Sequence, residues 1–442
     1  MKPFFKLKSI SGILFCCLSA NCMAKLDLEN SGDTTSNAFL VRGLFTDYMA
    51  SLIRPADNST TGEVPQYLSA LMYRSGQSVG VRIYPVDTET GNLGTYQEYS
   101  RTPTAGLSPG NAPKRIVRIP GTKELLVAAG LVDNKLYSLK VTDDGSVSPY
   151  QTSTAFSKDV SFVTVSSDGT KIFATSENTA SPPDSLIRYV RDASSGGITL
   201  QSSGGYPFGL VCGPKSIAVS PSGKNLFINS VSSATGLYGL VDDSGTLTQA
   251  SGSPVTLTTV VTSNNNLCLH PTKSYLYTTI NQASGPIVGY NYGSDSSLSV
   301  LPSSPFTPSS SYTNTITTAA RTLAIDPLGK YVAFLYQESS TYKLQLLNID
   351  SQTGTLSPTN NPVSVGNSPI NLEWDGSGRF LYFVSNDATN YQIEVYRVTQ
   401  SGTLMKAPNS PFTVTTMAGT GAFPIGLSSI SKTSTVKVGE FP

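Results

Sequence analysis

The sequence predicts an all-β fold, a closed seven-bladed β-propeller of four-stranded antiparallel blades. Three observations carry the prediction. Short apolar runs alternate with a period of two between Gly, Pro, Asp and Ser turns, and no long stretch has helical periodicity. The same pattern of runs then recurs about every 50 residues, a spacing that fits propeller blades.

The unit is clearest at 322–363. Leu323 and Ile325 alternate with small or polar residues, and Asp326-Pro327-Leu328-Gly329 makes a tight turn. A second apolar run follows at 331–335 and a third at 343–349. After an Asp/Ser/Gly turn at 350–354, Thr355-Leu356 opens a fourth. A meander that is apolar on both faces needs like neighbours to bury them.

The N-terminus has the form of an export leader. Lys2, Lys6 and Lys8 precede a short apolar run at 10–18, and Cys22 and Ala24 fit the −3 and −1 positions of cleavage after Ala24. The run is too short to span a bilayer. Acylation of Cys22 is the weaker alternative, since Ser19-Ala20-Asn21 precedes it and no Leu stands three places upstream. The expected location is secreted or periplasmic. Of 30 basic residues three lie in the leader, so the mature chain carries 27 against 29 acidic ones. Such a balance gives no global field for nucleic acid.

Residues 25–65 do not match the repeat and form an N-terminal extension, polar at 30–37, with a possible strand at 39–44 and an amphipathic helical stretch at 44–53. The propeller is expected over 66–430, with a tail at 431–442. Its first unit begins at Tyr67 and lacks a first strand, running 67–73 and 79–86. Six full units open at 116, 162, 216, 266, 322 and 371. Ser253-Pro254-Val255, Ser304-Pro305-Phe306, Asn361-Pro362-Val363 and Ser410-Pro411-Phe412 mark the same phase late in their units. Near the C-terminus, Ala422-Phe423-Pro424-Ile425-Gly426-Leu427 resembles the lead-in to a first strand. It is expected to complete the N-terminal blade beside 67–73, which pairs both open edges of the ring.

Five cysteines are present, three of them in the leader. Cys212 precedes one innermost strand, while Cys268 lies six positions further along the equivalent strand of the next unit. That offset is ~20 Å at ~3.3 Å per residue, far beyond the ~7 Å Cα limit for a disulfide. Two free, buried thiols are expected.

The repeated turn (Asp, His or Ser, then Pro), the Leu-Tyr-Val-type second strand and the Gly-Thr-Leu…Ser-Pro-Phe phase marker resemble the seven-bladed lactonase-like propellers. These are the relatives of 6-phosphogluconolactonase and the carboxymuconate-lactonising enzymes. The likeness covers roughly 66–430. It implies the propeller fold, and for members with lactone chemistry a Pro-Arg-His motif at the mouth of a first strand. Here the corresponding positions hold Arg115-Ile116, Ser161-Phe162, Lys215-Ser216, Asn265-Asn266, Arg321-Thr322 and Ile370-Asn371, with no His.

The only histidine, His270, occupies the turn position where other units have Asp326, Ser220 or Asp375, so a capping role is expected. A lone His rules out metal sites of the HExxH or multi-histidine kind, and no cofactor is implied. Gly76-Gln77-Ser78-Val79-Gly80 matches a nucleophile elbow but falls between two strands instead of between strand and helix. Asp143-Asp144-Gly145 and Asp242-Asp243-Ser244-Gly245 read as hairpin turns. Trp374 alternates with Leu372 and reads as core.

What remains is a set of polar residues at the starts of innermost strands. Arg115, Arg118, Lys215 and Arg321, with Ser216, Asn266, Thr322 and Asn371, are candidates to hold a carboxylate or phosphate. Glu373 is the candidate catalytic base. Three functions fit. The first is a monomeric module that binds a small anionic ligand or another protein through one face of the ring. The others are a lactone hydrolase acting on an anionic lactone, and a structural envelope protein.

Overall fold

Period-two alternation becomes antiparallel sheet in every repeat. The structure, a computed structural model, describes residues 59–437 apart from 74–78, 102–114, 130–134, 158–159, 177–183, 211–213, 231–235, 258–266, 281–285, 309–313, 316–320, 360–361, 388 and 416–422. The chain divides into two units, Gly62–Ser434 and a second made of Met1–Thr61 with Thr435–Pro442. Apart from strand ends at 59–61 and 435–437, the second unit lies outside the described residues. So do the leader and the expected elements at 39–44 and 44–53.

The described part of the larger unit contains seven antiparallel sheets and no helix. In chain order these are blades 1 to 7. Blade 6 shows the design. Its innermost strand Leu323–Ile325 pairs with Tyr331–Glu338, which pairs with Thr341–Ile349 and that with Leu356–Pro358. Gly329 closes the first turn at φ 71°, and a Cβ there would lie 2.3 Å from the His270 ring, so both backbone and space demand glycine.

The Ser-Pro marker has a structural role that the sequence did not disclose. In blades 4, 6 and 7 the segments Val255–Thr256, Val363–Ser364 and Phe412–Val414 pair with the third strand, alongside the fourth. In blade 5, Phe306 bridges to Ile287 in the same manner. The outer edge of these blades is therefore built from two short pieces, which limits edge-to-edge association.

Apolar residues at alternate positions feed opposite faces of each blade. On Ser59–Tyr73, Leu68, Ala70 and Met72 pack with Phe380 and Tyr382 of blade 7, while Tyr67 and Leu71 pack with Ile116 and Val127 of blade 2. Seven such apolar clusters occur among the described residues, one between each pair of neighbouring blades. The cluster joining blade 7 to blade 1 closes the ring.

Blade 1 has the strand order Gln97–Arg101, Val79–Pro85, Ser59–Tyr73, Phe423–Lys437. The C-terminal strand is thus its innermost strand, and Ser69 Oγ donates to Ser428 O at 2.7 Å. The closing strand pairs where the sequence placed it. Its partner reaches back to Ser59, earlier than the apolar alternation from Tyr67.

Candidate functional site

Arg321 precedes the innermost strand of blade 6, and Glu373 lies on the innermost strand of blade 7, Asn367–Trp374. The Leu372 N–H donates to Arg321 O at 2.8 Å, so the two strands meet at this level. The Arg321 guanidinium forms an ion pair with the Glu373 carboxylate. Both line a cavity of about 350 Å³, together with Arg118, Glu63, Trp374 and Ser429. Pro120, Pro327 and Gly376 also line it, which places the cavity where first strands turn into second strands.

Arg115 starts the innermost strand of blade 2, one residue before Ile116 of the cavity wall. Burial pushes its guanidinium down to about 10, the charge of Arg321 adds to this, and Glu373 opposes it. It remains cationic at neutral pH. Among the described residues it makes no hydrogen bond or ion pair. Arg115, Arg321 and Glu373 together carry one positive charge in excess, and the cavity lining adds the Arg118–Glu63 pair and the buried Asp375 carboxylate.

Arg118 is fully engaged. Its Nη1 pairs with Glu63 at 3.2 Å, Nε donates to Thr122 O at 3.0 Å, and Nη2 donates to Ser431 O at 2.8 Å. Asn371 stands at φ 58° in a bulge of its strand, and its Nδ2 donates to Ile425 O of the closing strand. The bulge reverses the alternation, since Ile370 packs toward blade 1 while Leu372 and Trp374 pack toward blade 6. Arg118 and Asn371 thus tie the closing strand to its two neighbours.

Arg115, Asn371 and the remaining described candidates are not among the residues that line this cavity. Thr322 is buried beside Arg321. Ser216 is buried in blade 4, and its Oγ has no hydrogen-bond partner among the described residues. The Lys215 side chain and all of Asn266 fall outside the described residues. Sequence reasoning missed Glu63, assigned to the extension, and Ser428 and Ser429, which carry no motif.

His270 is a cap. Its Nδ1 accepts the Thr272 and Lys273 backbone N–H groups at 3.1 and 3.0 Å, and Nε2 donates to Gly329 O of blade 6 at 3.0 Å. Burial holds its pKa below the ordinary value. Trp374 is buried, with Nε1 donating to Ala324 O at 3.3 Å. Cys268 is a free buried thiol, pushed up to about 12 by burial, while Cys212 lies outside the described residues. The Gly-x-Ser-x-Gly segment joins two paired strands, with Met72 opposite Gly80, though 74–78 fall outside the described residues.

Solved structures share this architecture over nearly their whole length. A periplasmic gluconolactonase of Pseudomonas aeruginosa aligns at 18% identity and TM-score 0.59, over 84% of this chain and 99% of that one. A candidate 6-phosphogluconolactonase from Bacteroides uniformis gives the same identity and TM-score, over 84% and 100%. One from Bacteroides fragilis gives 15% and 0.56, over 85% and 99%. The fold is that of the lactonase-like seven-bladed propellers. No protein-family model and no curated protein matches the sequence. This propeller carries Arg321, Glu373 and Arg115 on or just before innermost strands, beside the seam where the ring closes.

Proposed function

We propose that the protein is an exported propeller that binds a small organic anion in the cavity beside Arg321 and Glu373. The observation that carries this reading is Arg115, a desolvated guanidinium with no partner among the described residues, next to an ion pair that already neutralises itself. A half-buried guanidinium left unpaired carries a desolvation cost, and an anionic ligand would offset it. A cavity of about 350 Å³ suits a small molecule better than a protein segment. The leader supports export, and the periplasmic gluconolactonase among its structural neighbours is compatible with a periplasmic site of action.

The test is calorimetric titration of the mature protein with acetate, gluconate, citrate and phosphate, beside Arg115→Met. Saturable binding of at least one anion, weakened about tenfold or more in the variant, is expected. Binding of none, or binding indifferent to Arg115, would discard the reading.

A lactone hydrolase is the second reading, favoured by Glu373 lining the same cavity as Arg321 and Arg118. There Arg115 and Arg321 would hold the anionic lactone and Glu373 would activate water. Assay of sugar and muconate-type lactones with wild type and Glu373→Gln decides it. Wild-type turnover absent from the variant establishes the hydrolase.

A further inference from the structure

The cavity lies at the seam where the two ends of the ring meet. Its lining draws on the closing strand through Ser428 and Ser429, on that strand's partner through Glu63, and on blades 2 and 7 through Arg118 and Trp374. Between Ser428 and Ser431 the closing strand presents three hydroxyls, and two of them stitch the seam. Ser428 Oγ accepts the Arg118 backbone N–H at 3.0 Å, and Ser431 Oγ accepts that of Gly376 at 3.1 Å. The third belongs to Ser429, a residue 7% exposed that lines the cavity, and its Oγ has no hydrogen-bond partner among the described residues. A buried hydroxyl left unpaired needs an explanation, and a ligand oxygen provides one.

We propose that Ser429 donates a hydrogen bond to the anion in this cavity, so that filling the cavity fastens the closing strand and binding is coupled to closure of the ring. The inference rests on the anion-binding reading above. The Arg115 guanidinium suits a single carboxylate, and Glu373 can accept a hydrogen bond from a ligand hydroxyl. A hydroxylated monocarboxylate meets all three groups. A ligand that contacts the closing strand only when it is docked stabilises the docked state by mass action.

Hydrogen exchange followed by mass spectrometry on the mature protein tests this, with gluconate as the hydroxylated monocarboxylate and acetate and phosphate as comparisons. Saturating gluconate should slow exchange in peptides covering 423–434 about tenfold, and leave blade 4 unchanged. Ser429→Ala should weaken gluconate about tenfold and abolish that protection, with the ligand-free melting temperature within a few degrees of wild type. Ser429→Thr, which keeps the hydroxyl, should retain both. Arg115-dependent gluconate binding that Ser429→Ala leaves intact, or that leaves 423–434 unprotected, overturns this inference while the anion-binding reading stands. Failure of every anion to bind overturns both.

Discussion

Arg321 and Glu373, on neighbouring blades, neutralise each other at the wall of the seam cavity, and Arg115 stands beside them as the surplus charge. The pair is partly solvated, with side chains 34% and 19% exposed, so its mutual attraction is screened. Glu373→Gln removes the carboxylate paired with Arg321 and should strengthen binding of acetate, which has no hydroxyl to give Glu373, about three- to tenfold. Titrations between about 0.1 M and 1 M salt, where the Debye length falls from ~10 to ~3 Å, should erase most of the gain. Weaker binding by the variant would show that Glu373 contacts the ligand itself.

Arg115→Met should separate function from stability. It removes a desolvated guanidinium and leaves an apolar stem of similar length. Melting should therefore occur at an unchanged or higher temperature, with about 1–3 kcal/mol gained in denaturant titrations, while anion affinity falls about tenfold or more. A destabilised variant would mean that Arg115 has a structural partner instead.

The ring was legible because its cause is local. Tyr67 and Leu68 are adjacent in sequence and serve opposite interfaces, so alternation alone reports a sheet buried on both sides. The site was legible only in part. Arg115 and Arg321 could be placed because each stands one residue before the start of its unit, and Glu373 because it follows two residues after the start of the next. Arg118 and Asn371 stand on the same strands, yet their donors go to the closing strand, in contacts 313 and 54 positions apart that no periodicity encodes. The bulge at Asn371 added a further obstacle, since it reverses the alternation from which side-chain direction is inferred. Glu63 lies before the apolar alternation starts, so the pattern gave no signal for it.

His270 sets a pH dependence with a definite sign. Burial, chiefly, keeps its pKa in the folded protein below the ordinary 6.5, and two backbone N–H groups occupy the nitrogen that would have to take the proton. The folded state then binds fewer protons than the unfolded state below ~6.5, so stability is full above that pH and falls as the pH drops toward the folded pKa. As this is the only histidine, one imidazole resonance should titrate below 6.5 with the Nε2–H tautomer throughout the neutral range. Denaturant midpoints should decline from about pH 6.5 downward, and His270→Asn should flatten that decline. A folded-state titration at or above 6.5 would contradict the assignment.

The seam gives the last prediction. Arg118 holds Glu63, Thr122 O and Ser431 O with one head group, and its side chain is only 14% exposed. Arg118→Ala should cost about 1–3 kcal/mol, because it leaves the buried Ser431 carbonyl and the part-buried Thr122 carbonyl without their donor. Arg118→Lys should recover only part of this, since a single ammonium cannot span the three acceptors. Asn371→Ala, which frees Ile425 O and leaves a left-handed backbone without its side-chain tether, should cost about 1–2 kcal/mol. Both variants should open the ring at one place, so exchange should quicken first at 423–434 while blade 4 keeps its protection. Were either residue a ligand contact instead, its loss would weaken anion binding and leave that exchange unchanged.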